Sequence, residues 1–232
     1  MTLLDARGLV RHFDGLKAVD GVDFDLAPGE VHALIGPNGA GKTTFVGLLS
    51  GRVAAQAGTI RFAGEDITRL PAHRRVRRGI AYTFQITSVY ARLSLAENVG
   101  LAVQSRGGDR RREVPEALAR VGLEGEAGTL AGRLSYGHQR LLEVAMGLAL
   151  HPRLLILDEP TQGLAEGEIA AFKELVAGLA PATTVLLIEH NMDVVMDLAQ
   201  RITVLNFGKV LARGSPQEIR ADRAVQAAYL GD

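Results

Sequence analysis

The sequence predicts an α/β fold: a parallel-sheet core, an antiparallel β-rich segment ahead of it, and a helical insert within it. Three observations predict it. Short, wholly apolar runs recur at "VHALI" (31–35), "LLILD" (154–158) and "TVLLIE" (184–189), which is how strands buried on both faces read. The first runs through a glycine loop into the helical "KTTFVGLLSG", and a helical segment near 166–179 separates the other two, the order of βα units. Between them, from about 86 to 150, the pattern turns helical. With 232 residues, 47% of them hydrophobic, the chain suits one domain: a core of about 1–85 and 151–232 with an insert of about 86–150.

Each element follows from local residues. "LLDARGLVRHF" (3–13) and "AVDGVDFDL" (18–26) alternate apolar and polar positions as half-buried strands, with Gly15 and Gly21 as turn or bulge points. In the insert, "SLAE" (94–97) is a capping box that opens one helix, and "REVPEALARVGL" (112–123) supplies another. In "LSYGHQRLLEVAMGLAL" (134–150), Leu141, Val144, Ala145 and Leu148 fall at helical spacing behind a serine. That helix start offers free backbone N–H groups to an anion, while Ser135 also reads simply as its N-cap. The chain finishes with a hairpin pattern, "RITVLNFGKVLARG" (201–214), and a second capping box, "SPQE" (215–218), with Pro216 at the first helical position.

Composition narrows the function classes. Lys plus Arg and Asp plus Glu are 26 each, so no net field draws the chain onto nucleic acid or an anionic bilayer. With no cysteine, disulfides, thiolate metal sites and a cysteine nucleophile are excluded, and a reducing cytosol suits the protein. Neither a signal peptide nor the roughly 18 apolar residues of a membrane span is present, so a membrane role would pass through partners. The basic clusters Arg74, Arg75, Arg77 and Arg78, and Arg110 to Arg112, read as solvated surface.

The chemistry centres on "GPNGAGKT", Gly36 to Thr43, a G-x-x-x-x-G-K-[ST] pattern set between strand and helix. Consecutive N–H groups of Gly39, Ala40, Gly41, Lys42 and Thr43, flanked by Asn38 and Thr44, can curl around a β-phosphate. Lys42 then bridges β- and γ-phosphate oxygens and the Thr43 hydroxyl ligates Mg²⁺. In "LLILDEP" the buried strand delivers Asp158 to the metal and Glu159 to an attacking water. A nucleoside triphosphatase results. A GTPase would need an Asn-Lys-x-Asp guanine reader, and Asn38, Asn98, Asn191 and Asn206 are each followed by a residue other than lysine.

These motifs, with three more, carry a resemblance that spans nearly the whole chain. "LSYGH" (134–138) resembles the signature of ABC transporter ATP-binding subunits, Gln85 in "TFQ" the glutamine joining core to insert, and His190 in "LLIEHN" the switch histidine. The resemblance implies a P-loop NTPase core of the RecA-like type with an N-terminal antiparallel β-subdomain, and ATP with Mg²⁺ as cofactors. It implies adenine stacked on Phe13, and Gln85 helping Thr43 and Asp158 to place the metal. Glu159, His190, Gln85 and Lys42 are then the catalytic group. It implies a head-to-tail pair, homomeric or with a second ABC ATPase, in which Ser135, Gly137 and His138 meet the γ-phosphate held by the other copy's Lys42 and Thr43. A small-molecule kinase leaves "LSYGH" and His190 unexplained. A DNA-tethering head needs a long coiled-coil insert, and a ribosome-bound relative needs two tandem copies.

Two positions depart from the family pattern: His138 replaces a glutamine, and Ala165 stands where an aspartate is frequent. Within the family, "LSYGHQRLLEVA", "IEHNMDVV" and "AAYLG" most resemble the ATPases of branched-chain amino-acid importers, with urea and short-amide importers close by. That implies transmembrane permease subunits, a periplasmic or extracellular binding protein, no nucleic acid, and a peripheral place on the cytoplasmic face of the membrane. A permease coupling helix is expected near "ITSVYARLSLAENV", seated by Tyr90, Leu93 and Leu95.

Overall fold

The computed structural model describes residues 2–83 and 88–230. The opening hairpin is β1 (Leu4–Phe13) and β2 (Leu16–Leu26), turning through Asp14 and Gly15. The register slips where Leu9 faces Val22 but Val10 faces Asp20, which makes Gly21 the expected bulge residue. After β3 (Val31–Ile35) and α1 (Lys42–Ser50), the chain adds β4 (Ala57–Phe62) and the two-residue β5 (Glu65–Asp66) to the hairpin. The result is an antiparallel sheet ordered β2-β1-β4-β5. β4 escapes sequence reading because "AGTIRF" buries only Ile60 and Phe62, with Arg61 between them and Gly58 and Thr59 ahead.

The short α2 (Ala72–Val76) leads to β6 (Ile80–Tyr82), and then come α3 (Leu95–Ser105), α4 (Arg110–Arg120) and α5 (Tyr136–Leu148). The "SLAE" box closes as expected: Ser94 Oγ accepts the Glu97 N–H, and Glu97 accepts the Ser94 N–H. The core is completed by β7 (Leu154–Asp158), α6 (Glu166–Leu179), β8 (Thr184–Ile188), α7 (Met192–Leu198), β9 (Arg201–Asn206) and β10 (Lys209–Gly214). At the end stand α8 (Pro216–Ala221), capped by Ser215, and α9 (Arg223–Leu230).

The main sheet runs β10-β9-β3-β8-β7-β6, parallel throughout except for β10 on β9. The terminal hairpin is therefore part of the core, because β9 pairs with β3 alongside the phosphate loop. On one face Leu34, Ile156, Leu186 and Ile188 pack with Phe45 of α1 and with Phe24 and Phe62 of the antiparallel sheet. On the other face Leu155, Leu157, Val185 and Leu187 pack under α5 and α6, and that cluster continues into α3 and α4. Strands β3, β7 and β8 are wholly buried, so the loops at their carboxyl ends are held by a rigid sheet.

Arg75 overturns one expectation. Its side chain is 2% exposed rather than solvated, and its guanidinium donates to the carbonyls of Leu48 and Leu49 in the last turn of α1. Two further bonds reach Leu70 O and Thr68 O. The last carbonyls of a helix need donors and a cation suits that end, and one buried arginine supplies both.

Candidate nucleotide site

At the end of β3 the chain must turn sharply and present its N–H groups inward. Gly41, with φ 99°, caps α1, and a side chain there would run into the Ala18 carbonyl. Lys42 lies along the loop with its Nζ donating to Gly36 O at 2.6 Å and Pro37 O at 3.1 Å. Burial pulls the ammonium pKa down, and the Glu159 and Asp158 carboxylates push it back. Asn38, Gly39, Ala40, Gly41, Lys42, Thr43 and Thr44 share one cavity of about 240 Å³ with Asp158, Glu159 and His190. Residues expected from separate motifs are thus brought together on the carboxyl edge of the sheet.

Asp158 is 3% exposed, its backbone N–H bonds Thr83 Oγ1 at 3.2 Å, and Tyr82 Oη donates to its Oδ2 at 2.7 Å. Burial raises the carboxyl, the Tyr82 bond opposes this, and the Glu159 charge raises it further. The buried Asp158 carboxylate beside the Glu159 charge favours a hard cation, and the Thr43 hydroxyl with the Asp158 carboxylate is the oxygen set that Mg²⁺ takes beside phosphates. Among the described residues no cluster of three or more His, Cys, Asp or Glu could hold a metal alone. Glu159 leaves the strand with φ 50°, its N–H bonded to Ile188 O at 2.8 Å. The turn throws its carboxylate toward His190, and Oε1 lies 2.9 Å from Nε2.

Glu189 was not singled out by sequence, and it ties this arrangement together. Its Oε1 accepts the Thr161 N–H at 2.9 Å and the Thr161 hydroxyl at 2.6 Å, and its Oε2 accepts the His190 N–H at 3.0 Å and the Asn191 N–H at 3.3 Å. The buried carboxylate thus fastens the loop after Glu159 to the loop that carries His190. The hydrophobic look of "TVLLIE" hides it. Tyr82 is equally silent in the sequence, since a tyrosine ending a short strand gives no signal of what it bonds.

Ser135 caps α5, its Oγ accepting the His138 N–H at 3.2 Å, as its structural reading requires. Gly137 is buried, and a Cβ there would lie 2.7 Å from the Gly163 carbonyl. His138 turns its ring to carboxylates of its own chain, with Nε2 2.8 Å from Glu168 and Nδ1 3.6 Å from Glu126. None of Leu134 to His138 lines the phosphate cavity. Phe13 is 38% exposed at the end of β1, with the Arg11 guanidinium 4.4 Å from its ring centre, and it too lies outside that lining, where Leu16 takes part. Gln85 lies outside the described residues.

A second concavity of about 420 Å³ is lined by Val76, Tyr82, Tyr90, Leu101, Met146 and Leu150 among others. Tyr90, 58% exposed, is among the lining residues, and Leu93 and Leu95 are not. Leu95 is wholly buried because it is the first residue of α3 and packs into the helical core. No helix among the described residues is long and apolar enough to cross a membrane.

Comparison with known proteins agrees with this geometry. The profile of the ABC transporter family matches residues 19–162, and that of the branched-chain amino acid ATP-binding cassette transporter family matches residues 209–232. The chain is 39% identical over 251 aligned positions to the high-affinity branched-chain amino acid transport ATP-binding protein BraF of Pseudomonas aeruginosa, covering 99% of this chain and 98% of that one. It is 39% identical over 250 positions to the corresponding protein LivG of Escherichia coli K12, with the same coverage. A solved ATP-binding cassette of an ABC transporter in its ADP conformation superposes with a TM-score of 0.89 at 28% identity, over 100% of both chains.

Proposed function

Because this chain belongs to the ABC transporter family and is an ATP-binding, ATP-hydrolysing subunit, we propose that it powers the uptake of branched-chain amino acids through partner membrane subunits. The observation that carries the catalytic part is the 2.9 Å pair between Glu159 and His190 at the mouth of the phosphate cavity. The family profile over residues 209–232 and the names of the relatives support the substrate.

In this reading Glu159 orients the attacking water and accepts its proton, and His190 holds the Glu159 carboxylate in place and faces the γ-phosphate. Lys42 and the N–H groups of Gly39 to Thr43, between Asn38 and Thr44, cradle the β- and γ-phosphates, and Phe13 stacks on adenine once Arg11 yields. Thr43, Asp158 and Gln85 would hold Mg²⁺, which would supply charge neutralisation along the phosphates.

Two ATPase subunits, identical or related, close head to tail, and Ser135 with the Gly137 N–H completes the partner's site. The placement of Ser135 outside the chain's own phosphate cavity supports this. Closing such a pair from 1:99 to 99:1 requires about 5.5 kcal/mol of differential binding. Two γ-phosphates, each meeting charge-assisted bonds of about 1.5–3 kcal/mol, supply it and release it on hydrolysis. The permease's coupling helix sits in the groove of Tyr90, Leu101 and Met146, which places the chain at the cytoplasmic face of the membrane, with a substrate-binding protein on the far side. The test is reconstitution with the membrane subunits in liposomes: leucine-loaded binding protein should stimulate ATP turnover. Glu159→Gln should bind ATP, accumulate as a closed pair and lose at least about a hundredfold in kcat. Undiminished turnover by Glu159→Gln overturns the catalytic assignment, and stimulation by urea but not leucine overturns the substrate.

A further inference from the structure

The first turn of α5 and the chain that follows Glu159 meet along three contacts. Tyr136 Oη donates to Gln162 Oε1 at 3.2 Å, Gly137 packs against the Gly163 carbonyl, and His138 Nε2 lies 2.8 Å from Glu168 Oε1. Glu168 works at both ends, because its Oε2 accepts the Ala165 N–H at 2.7 Å. Ala165 is the N-cap of α6 and has no side-chain oxygen to cap the first turn, so Glu168 makes its own half of a capping box, the bond to the Ala165 N–H, while holding the His138 ring of α5.

The other charged groups facing His138 are Glu126, 3.6 Å from Nδ1 on the turn after α4, and Arg120 at the end of α4, which lines the same concavity. The bridge lies on the wall of an open concavity of about 310 Å³, which Leu141 and Phe172 line together with His138 and Glu168.

We propose that His138 is a positioning residue, and that the His138–Glu168 bridge fixes the start of α5, with Ser135 and Gly137, against the start of α6. It rests on the reading that Ser135 and Gly137 serve a partner-bound γ-phosphate. Since Glu159 and α6 lie on one short stretch of chain, the bridge sets the offset between the site this chain catalyses and the site it completes. His138 itself does not touch nucleotide. The two departures from the family pattern, His138 and Ala165, thereby meet on one carboxylate.

The experiment uses the complete transporter and measures ATP turnover against ATP concentration for the parent protein, His138→Ala and His138→Gln. His138→Ala should lower kcat about threefold, the size of a partly exposed polar pair, with KM for ATP unchanged. His138→Gln, which keeps a donor to Glu168, should recover most of that loss. A raised KM in either variant makes the ring a nucleotide contact and overturns the proposal, as does an unchanged kcat in His138→Ala or a His138→Gln that recovers nothing. Ser135→Glu is run beside them: should it turn over normally, the head-to-tail reading fails whatever His138 does.

Discussion

Replacing Arg75 by methionine keeps most of the side-chain volume and removes every donor, so it isolates what the guanidinium does for α1. Four carbonyls lose a partner: Leu48 at 2.7 Å, Leu49 at 2.8 Å, Leu70 at 2.9 Å and Thr68 at 3.0 Å. Burial holds the guanidinium pKa down to about 10, still far above neutrality, so the group is charged in the working protein. The Leu48 and Leu49 bonds are buried and water cannot replace them, whereas those to Leu70 and Thr68 are partly open. At about 1–3 kcal/mol for the stranded Leu49 carbonyl, less for Leu48, which keeps the Gly51 N–H at 3.3 Å, and little for the open pair, the loss is about 3 kcal/mol. For a domain of this size that corresponds to a fall in melting temperature of about 6–12 °C. Scanning calorimetry of the nucleotide-free protein measures it, and Arg75→Lys, whose compact ammonium can serve only part of the set, should fall between. A methionine variant that melts within 2 °C of the parent would refute the capping account. ATP should restore part of the loss in Arg75→Met, since phosphate binds the opposite end of the same helix.

Three further outcomes follow from the site. Burial and the Glu159 charge raise the folded-state carboxyl of Asp158 above its unfolded value of about 3.9, so the folded protein holds that proton more tightly and loses stability as pH rises between the two values. Asp158→Asn should therefore melt higher than the parent without nucleotide at pH 8, the gap should close toward pH 4, and ATP turnover should vanish; a lower melting point at pH 8 contradicts this. Gly137→Ala places a methyl 2.7 Å from the Gly163 carbonyl and must shift backbone, so kcat should drop at least about tenfold while binding of a fluorescent ATP analogue stays within about twofold. Glu189→Ala frees the loops carrying Thr161 and His190 from their shared carboxylate, and single-turnover hydrolysis should slow on the order of a hundredfold with ATP affinity nearly unchanged.

Local patterns in the chain determined a great deal by themselves. The buried strands, the phosphate loop and the Ser94 and Ser215 capping boxes are legible because period, capping and backbone freedom are short-range properties. What "GPNGAGKT" and "LLILDEP" can do chemically is equally local. The sequence left open which distant groups meet. Arg75 reads as one of four exposed arginines until α1 is laid beside it, Leu95 reads as exposed until α3 packs into its core, and Glu189 reads as the tail of a strand until Thr161 arrives from 28 residues away. Tertiary contacts of that kind depend on which face of each element the sheet order turns inward, and no window of sequence carries that information. The separation of Ser135 from the phosphate cavity is likewise a property of the folded sheet and helices alone.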